Sequence, residues 1–152
     1  MDDFQRTFFD MRQVFPPVPI PGSSLVVDPT NQSDNGARAK LKDLLRNKQW
    51  PSLRADKLPW MLQEKPSQAY DMLTPAGAAY FLPAFLRMCE MEPERARGVP
   101  DALVSKLCGD SEDSKELRSL LSEMQKRCIV AFFDGWHKGA DTLREKLLPT
   151  TR

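Results

Sequence analysis

The sequence predicts an all-α protein, a small single-domain helical bundle over residues 1–152. Almost all of its apolar periodicity has helical spacing, and only residues 25–27 favour a short strand. A chain of this length buries a sizeable core without disulfides or metals. Its most informative stretch, residues 73–86, combines a helix start signal with a nearly unbroken apolar run that contains Pro83. We therefore expect a kinked central helix.

The N-terminal part predicts one helix and one long connection. Over residues 2–15, apolar side chains recur every three or four positions, as in an amphipathic helix; they are Phe4, Phe8, Met11 and Phe15. Residues 16–36 contain five prolines, which favour extended backbone. We expect this segment to be a proline-rich crossover loop on the surface of the domain.

Three further segments lead to the central helix. Residues 36–49 favour a second helix, which Trp50 and Pro51 end. Residues 52–63 favour short helical turns, and Pro66 starts another short helix. We interpret Trp50 and Trp60 as core residues because both lie among apolar residues and prolines.

The central helix is predicted to run from Pro75 to about Met91. Thr74 suits the N-cap and Pro75 the first helical position, where no N–H is needed. Pro83 removes one intrahelical hydrogen bond, which predicts the kink. Gly77 is a poor helix former, so we expect another backbone to pack closely against it.

The C-terminal third predicts helices over residues 101–108, 114–137 and 141–148. Gly109 suits the end of the first of these helices. The second is predicted to be the longest helix of the chain, with a core stripe of Leu117, Leu120, Leu121, Met124, Cys128, Ala131 and Phe132. The centre of the core is predicted to contain Phe81, Leu82, Phe85, Leu117, Leu121 and Phe132.

Composition excludes several classes of protein. The net charge is +1, too small for a global field that attracts nucleic acid or anionic membrane. No apolar run reaches the length of a membrane helix, and the acidic start does not resemble a secretory signal. Cys89, Cys108 and Cys128 fit neither a disulfide framework nor a zinc site. We expect a cytoplasmic protein with three reduced thiols.

The residues that usually carry catalysis are sparse. His137 is the only histidine, and no nucleophile elbow or phosphate-binding glycine loop is present. Two groups of carboxylates are interpreted as solvated helix ends, although an acid pair can perform acid–base chemistry; they are Glu90, Glu92 and Glu94, and Asp110, Glu112 and Asp113. We expect no catalytic residue, cofactor or metal ligand.

Charge is unevenly distributed along the chain. Residues 36–70 contain eight basic and three acidic residues, whereas residues 1–35 contain two basic and five acidic ones. Complementary charge patches increase the specificity and the rate of protein association. The candidate partner contacts are therefore a basic face (Arg38, Lys42, Arg46, Arg54 and Lys57) and an acidic edge (Glu112, Asp113 and Glu116).

The order of these motifs resembles an uncharacterised bacterial domain family of unknown function. The resemblance lies in a Phe-rich first helix, the Trp50-Pro51-Ser52-Leu53 segment, the Leu73-Thr74-Pro75 element followed by Tyr80 and residues 82–86, and a late helix with Leu120, Leu121, Gln125 and Phe132. It implies a small helical fold without known catalytic residues. Proteins similar to this family resemble immunity proteins that bind bacterial toxins.

The first functional hypothesis is a non-catalytic binding protein, most concretely an immunity protein that binds and occludes a secreted toxin or effector. The alternative is a housekeeping or regulatory interaction module without a toxin partner. Two further hypotheses remain open: an enzyme that uses a carboxylate cluster, and a phosphate- or nucleic-acid-binding module that uses the basic segment. We expect a protein partner and no membrane partner.

Overall fold

The computed structural model describes residues 11–22, 24–27, 36–134 and 139–148. These ranges contain seven complete α-helices: α1 Ala37–Leu45, α2 Pro66–Asp71, α3 Pro75–Met91, α4 Val99–Cys108, α5 Glu112–Leu120, α6 Glu123–Phe133 and α7 Ala140–Leu147. Three 3-10 turns, Trp50–Ser52, Ala55–Lys57 and Trp60–Leu62, connect α1 to α2. The predicted all-α fold is confirmed.

Some predictions fall on residues that the structure does not describe. Residues 11–14 are helical, in agreement with the predicted first helix, but Phe4 and Phe8 lie outside the described residues. The same is true of His137, and of residue 23 and residues 28–35 in the predicted crossover loop.

Helix α3 is the central element and has the predicted bounds. The Thr74 hydroxyl accepts a hydrogen bond from the Gly77 N–H at 3.1 Å, and Pro75 occupies the first turn. The helix continues through Pro83 to Met91 and packs against α4, α5 and the first 3-10 turn. It therefore organises the core around itself, while the bend at Pro83 stays a prediction.

The proline-rich segment crosses the start of α3. Val26 pairs with Leu73 in an isolated antiparallel bridge, and the Thr74 N–H donates to the Leu25 carbonyl at 3.1 Å. The predicted strand is thus a single bridge. Gly77 is buried beneath the Leu25 backbone, where a Cβ would overlap the carbonyl group. The close approach predicted at this glycine is confirmed.

The prediction of one long helix over residues 114–137 is wrong. The chain breaks between α5 and α6 at Leu121, which has extended backbone angles (φ −91°, ψ 135°). Ser122 and Gln125 form a reciprocal capping box at the start of α6, in which each side chain accepts a hydrogen bond from the backbone N–H of the other residue. The break changes the buried face, so three residues of the predicted stripe are exposed: Leu120, Met124 and Ala131.

The six residues predicted for the centre of the core are all buried. Trp50 is buried as predicted, and its Nε1–H donates to the Phe15 carbonyl at 2.8 Å. The prediction for Trp60 is wrong, because its side chain is 73% exposed. A single 3-10 turn spreads its residues about 120° apart, and here Leu62 takes the buried direction.

The remaining predictions need small corrections. Helices α4 and α7 begin two residues and one residue earlier than expected. Gly109 ends α4 in an extended conformation (φ −68°), so it does not need the left-handed region. The three cysteines are half-buried and no disulfide joins them. None of the helices in the described ranges combines the length and apolar character required to cross a membrane.

Candidate functional site

The structure does not bring the five residues of the predicted basic face together on one surface. Lys42 and Arg46 line a groove of about 280 Å³ between α1 and the proline-rich segment. Arg54 lines a different cavity, described below. Arg38 is half-buried on α1, and Lys57 is exposed in the second 3-10 turn.

The predicted acidic edge lies on the first two turns of α5. Glu112, Asp113 and Glu116 are all exposed, and Glu112 lies 3.7 Å from the Lys115 ammonium group. Acidic residues in a first turn stabilise the helix by interacting with its dipole. The helix dipole therefore accounts for Glu112 and Asp113, and partner binding at this edge stays a prediction.

The second cavity lies between the 3-10 segment and the C-terminal end of α3. It has a volume of about 110 Å³ and is lined by Leu53, Arg54, Arg87, Met88, Met91 and Glu92. We call it the arginine pocket. The partner contacts predicted from the sequence include neither Arg87 nor the two methionines. Glu92 enters the sequence-based predictions only as one of three neighbouring acidic residues, with Glu90 and Glu94.

Two hydrogen bonds fasten the walls of the arginine pocket to each other. The Arg87 Nη2 donates to the Leu53 carbonyl at 3.1 Å, and the Glu92 Oε2 accepts from the Ala55 N–H at 3.3 Å. The second Glu92 oxygen lies 3.4 Å from Arg95 Nη1. Because these bonds link segments more than thirty residues apart, the pocket is held in shape before any ligand arrives.

The arginine pocket carries an excess of positive charge. Burial lowers the pKa of Arg87, and the neighbouring charges of Arg54 and Arg12 lower it further, whereas Glu92 raises it. A guanidinium nevertheless stays protonated at neutral pH. Arg54 also lies 3.6 Å from the Asp56 carboxylate, but both side chains are largely exposed, so this pair contributes little.

The two segments that form the arginine pocket each carry an exposed apolar side chain. Met91, on the rim of the arginine pocket, is 56% exposed, and Trp60 in the third 3-10 turn is 73% exposed. The Gln63 side chain donates to the Leu58 carbonyl at 2.9 Å, which closes the loop that carries Trp60. Aromatic residues, Met and Arg are the types enriched at protein interfaces. We call the arginine pocket together with Trp60 the candidate surface.

Residues of both predicted carboxylate clusters form ion pairs with basic side chains. Glu94 pairs with Arg97 at 3.0 Å, and Asp110 lies 3.5 Å from the Lys146 ammonium group. Among the described residues, no three His, Cys, Asp or Glu side chains are arranged to hold a metal ion. Acid–base catalysis by these carboxylates stays a hypothesis.

No family model, curated protein or solved structure matches the chain. The resemblance to a bacterial domain family therefore stays a prediction from the sequence motifs.

Proposed function

We propose that this chain is a non-catalytic protein-binding protein that contacts its partner through the candidate surface. The observation that supports the proposal is one cationic pocket whose rim exposes Met91, with Trp60 exposed in the adjoining segment. Interface residues that dominate affinity are most often Trp, Tyr and Arg. A large exposed indole on a fastened loop loses little side-chain entropy when a partner covers it.

The more specific form of the proposal is an immunity protein that occludes a bacterial toxin or effector. This form rests on the sequence resemblance. Steric occlusion requires a rigid scaffold and a complementary surface. The hydrogen bonds that join the 3-10 segment to the C-terminal end of α3 support such a scaffold. Positive charge on the candidate surface favours a toxin with an acidic face.

The alternative within the same class is a regulatory interaction module whose partner is not a toxin. Both forms use the same surface. The gene context separates them, because an immunity gene is expected directly after a toxin gene.

A growth assay tests the immunity form. The product of the preceding gene is induced in a host cell with and without this chain, as wild type, Trp60→Ser or Met124→Ser. Met124 is 61% exposed on α6, outside the candidate surface, and is the matched control. We expect wild type and Met124→Ser to restore growth and Trp60→Ser to restore it less. Toxicity that wild type does not relieve contradicts the immunity form.

A further inference from the structure

We infer that the arginine pocket is a receptor for one carboxylate side chain, an aspartate or glutamate of the partner protein, bound between Arg54 and Arg87. The inference rests on the proposed function, because it specifies the chemistry of that contact. The observations that carry it are the size of the pocket, its walls and its charge.

The pocket is small, with a volume of about 110 Å³, so it suits one side chain of a partner better than a longer stretch of chain. Leu53 and Met88 are buried and form apolar walls, and the exposed part of Met91 extends the apolar rim. The walls can contact the methylene groups of an acidic side chain while its oxygens meet the guanidinium groups.

The two arginines differ in how firmly they are held. Arg87 is half-buried and donates to the Leu53 carbonyl, so it provides a fixed positive charge. Arg54 is exposed and its ion pair with Asp56 is 3.6 Å long, so breaking that pair to contact a ligand costs little. A planar guanidinium binds a carboxylate through two parallel hydrogen bonds. An incoming carboxylate also offsets the repulsion between Arg54 and Arg87.

Nucleic acid is the competing ligand, and the pocket favours it less. Backbone recognition uses a row of cations along a groove, so that successive phosphates are neutralised. Here two cations, Arg54 and Arg87, line one small cavity, and Glu92 lines it too, with its carboxylate accepting from the Ala55 N–H. A single monoanionic group meets less repulsion from Glu92 than a chain of phosphates.

A titration without the partner tests the pocket itself. The probes are N-acetyl-aspartate N′-methylamide, its asparagine analogue and inorganic phosphate, at constant ionic strength, with the arginine Nε–H signals followed by NMR. We expect saturable shifts of Arg54 and Arg87 with the aspartate probe. Arg97, exposed and paired with Glu94, is the control and should shift little. No saturable shift, or a stronger response to phosphate, overturns the inference.

A binding measurement with the isolated partner gives the second test. Arg54→Gln should raise Kd by about 10- to 100-fold, whereas Arg97→Gln should leave it unchanged. Both side chains are exposed, so both variants should fold. If Trp60→Ser weakens binding and Arg54→Gln does not, the inference is wrong and the proposed function stands. If no protein binds the wild-type chain, the proposed function fails, and the titration still decides whether the pocket accepts a carboxylate.

Discussion

The Leu25 carbonyl group lies directly against the Cα of Gly77. A Cβ at position 77 would lie 3.0 Å from the Leu25 carbonyl carbon and still closer to its oxygen. The Thr74 N–H donates to that same carbonyl, so the backbone of the proline-rich segment is bonded to the start of α3 and cannot retreat freely. Glycine is therefore required by contact between two backbones.

Gly77→Ala is expected to destabilise the fold by about 1–3 kcal/mol, because overpacking outweighs the better helix propensity of alanine. The free energy of unfolding in denaturant measures the effect. Gly22→Ala is the control, since a Cβ there meets nothing within 4 Å. Equal stability of Gly77→Ala and wild type would show that the segment shifts without cost.

Ser122→Ala is expected to lower the free energy of unfolding by ~1 kcal/mol, because the mutation removes the side-chain acceptor of the capping box. Chemical denaturation measures this change. Ser119→Ala, in an exposed position on α5, should have a smaller effect. A Ser122→Ala variant as stable as wild type would mean that the break between α5 and α6 does not depend on the cap.

Phe85→Ala is expected to cost about 3–5 kcal/mol of stability. Phe85 is 1% exposed, and its ring lies 4.8 Å from the Tyr70 ring in an edge-on arrangement. Leu120→Ala, at a position that is 49% exposed, is the comparison and should cost less than ~1 kcal/mol. A loss below 1 kcal/mol at Phe85 in equilibrium unfolding contradicts its place in the core.

Sequence patterns predicted α3 well because its signals are local. Thr74 and Pro75 start the helix whatever surrounds it, and a long apolar run is buried wherever it packs. The break at Leu121 also has a local signal, the Ser122 to Gln125 capping box, but the prediction of one helix over residues 114–137 rests on apolar spacing alone and does not use that signal. Trp60 was assigned to the core from its apolar neighbours, although the direction of a side chain in one 3-10 turn depends on tertiary packing.

No local sequence pattern predicts the arginine pocket. Arg54 and Arg87 lie far apart in the chain, and they meet because the 3-10 segment folds back over the end of α3. Arg54 was predicted as a partner contact from the charge of its segment alone. Arg87 lies in an apolar helix, where nothing in the sequence indicates its proximity to Arg54.

Alkaline pH is expected to destabilise the fold through Cys89. Burial raises the pKa of this thiol to about 12, and the Glu90 charge contributes. An unfolded thiol ionises near pH ~8.5. Between these values the unfolded chain releases a proton that the folded chain retains, so the free energy of unfolding falls as pH rises.

Cys89→Ala tests this linkage. Denaturation between pH 8 and about 11 should show a shallower decline for the variant than for wild type, by up to ~1.4 kcal/mol per pH unit. Below pH ~8 the two curves should run parallel. Parallel curves over the whole range would contradict a Cys89 thiol that stays protonated in the folded chain.

The most direct test of the central claim is quantitative affinity capture from the protein's own cells, with wild type, Trp60→Ser and Met124→Ser compared side by side. Circular dichroism first establishes that all three chains are equally folded. The proposed function predicts one stoichiometric protein partner, retained by wild type and Met124→Ser and depleted on Trp60→Ser. Equal capture by all three chains would contradict binding through the candidate surface, and the absence of any partner would contradict the proposed function.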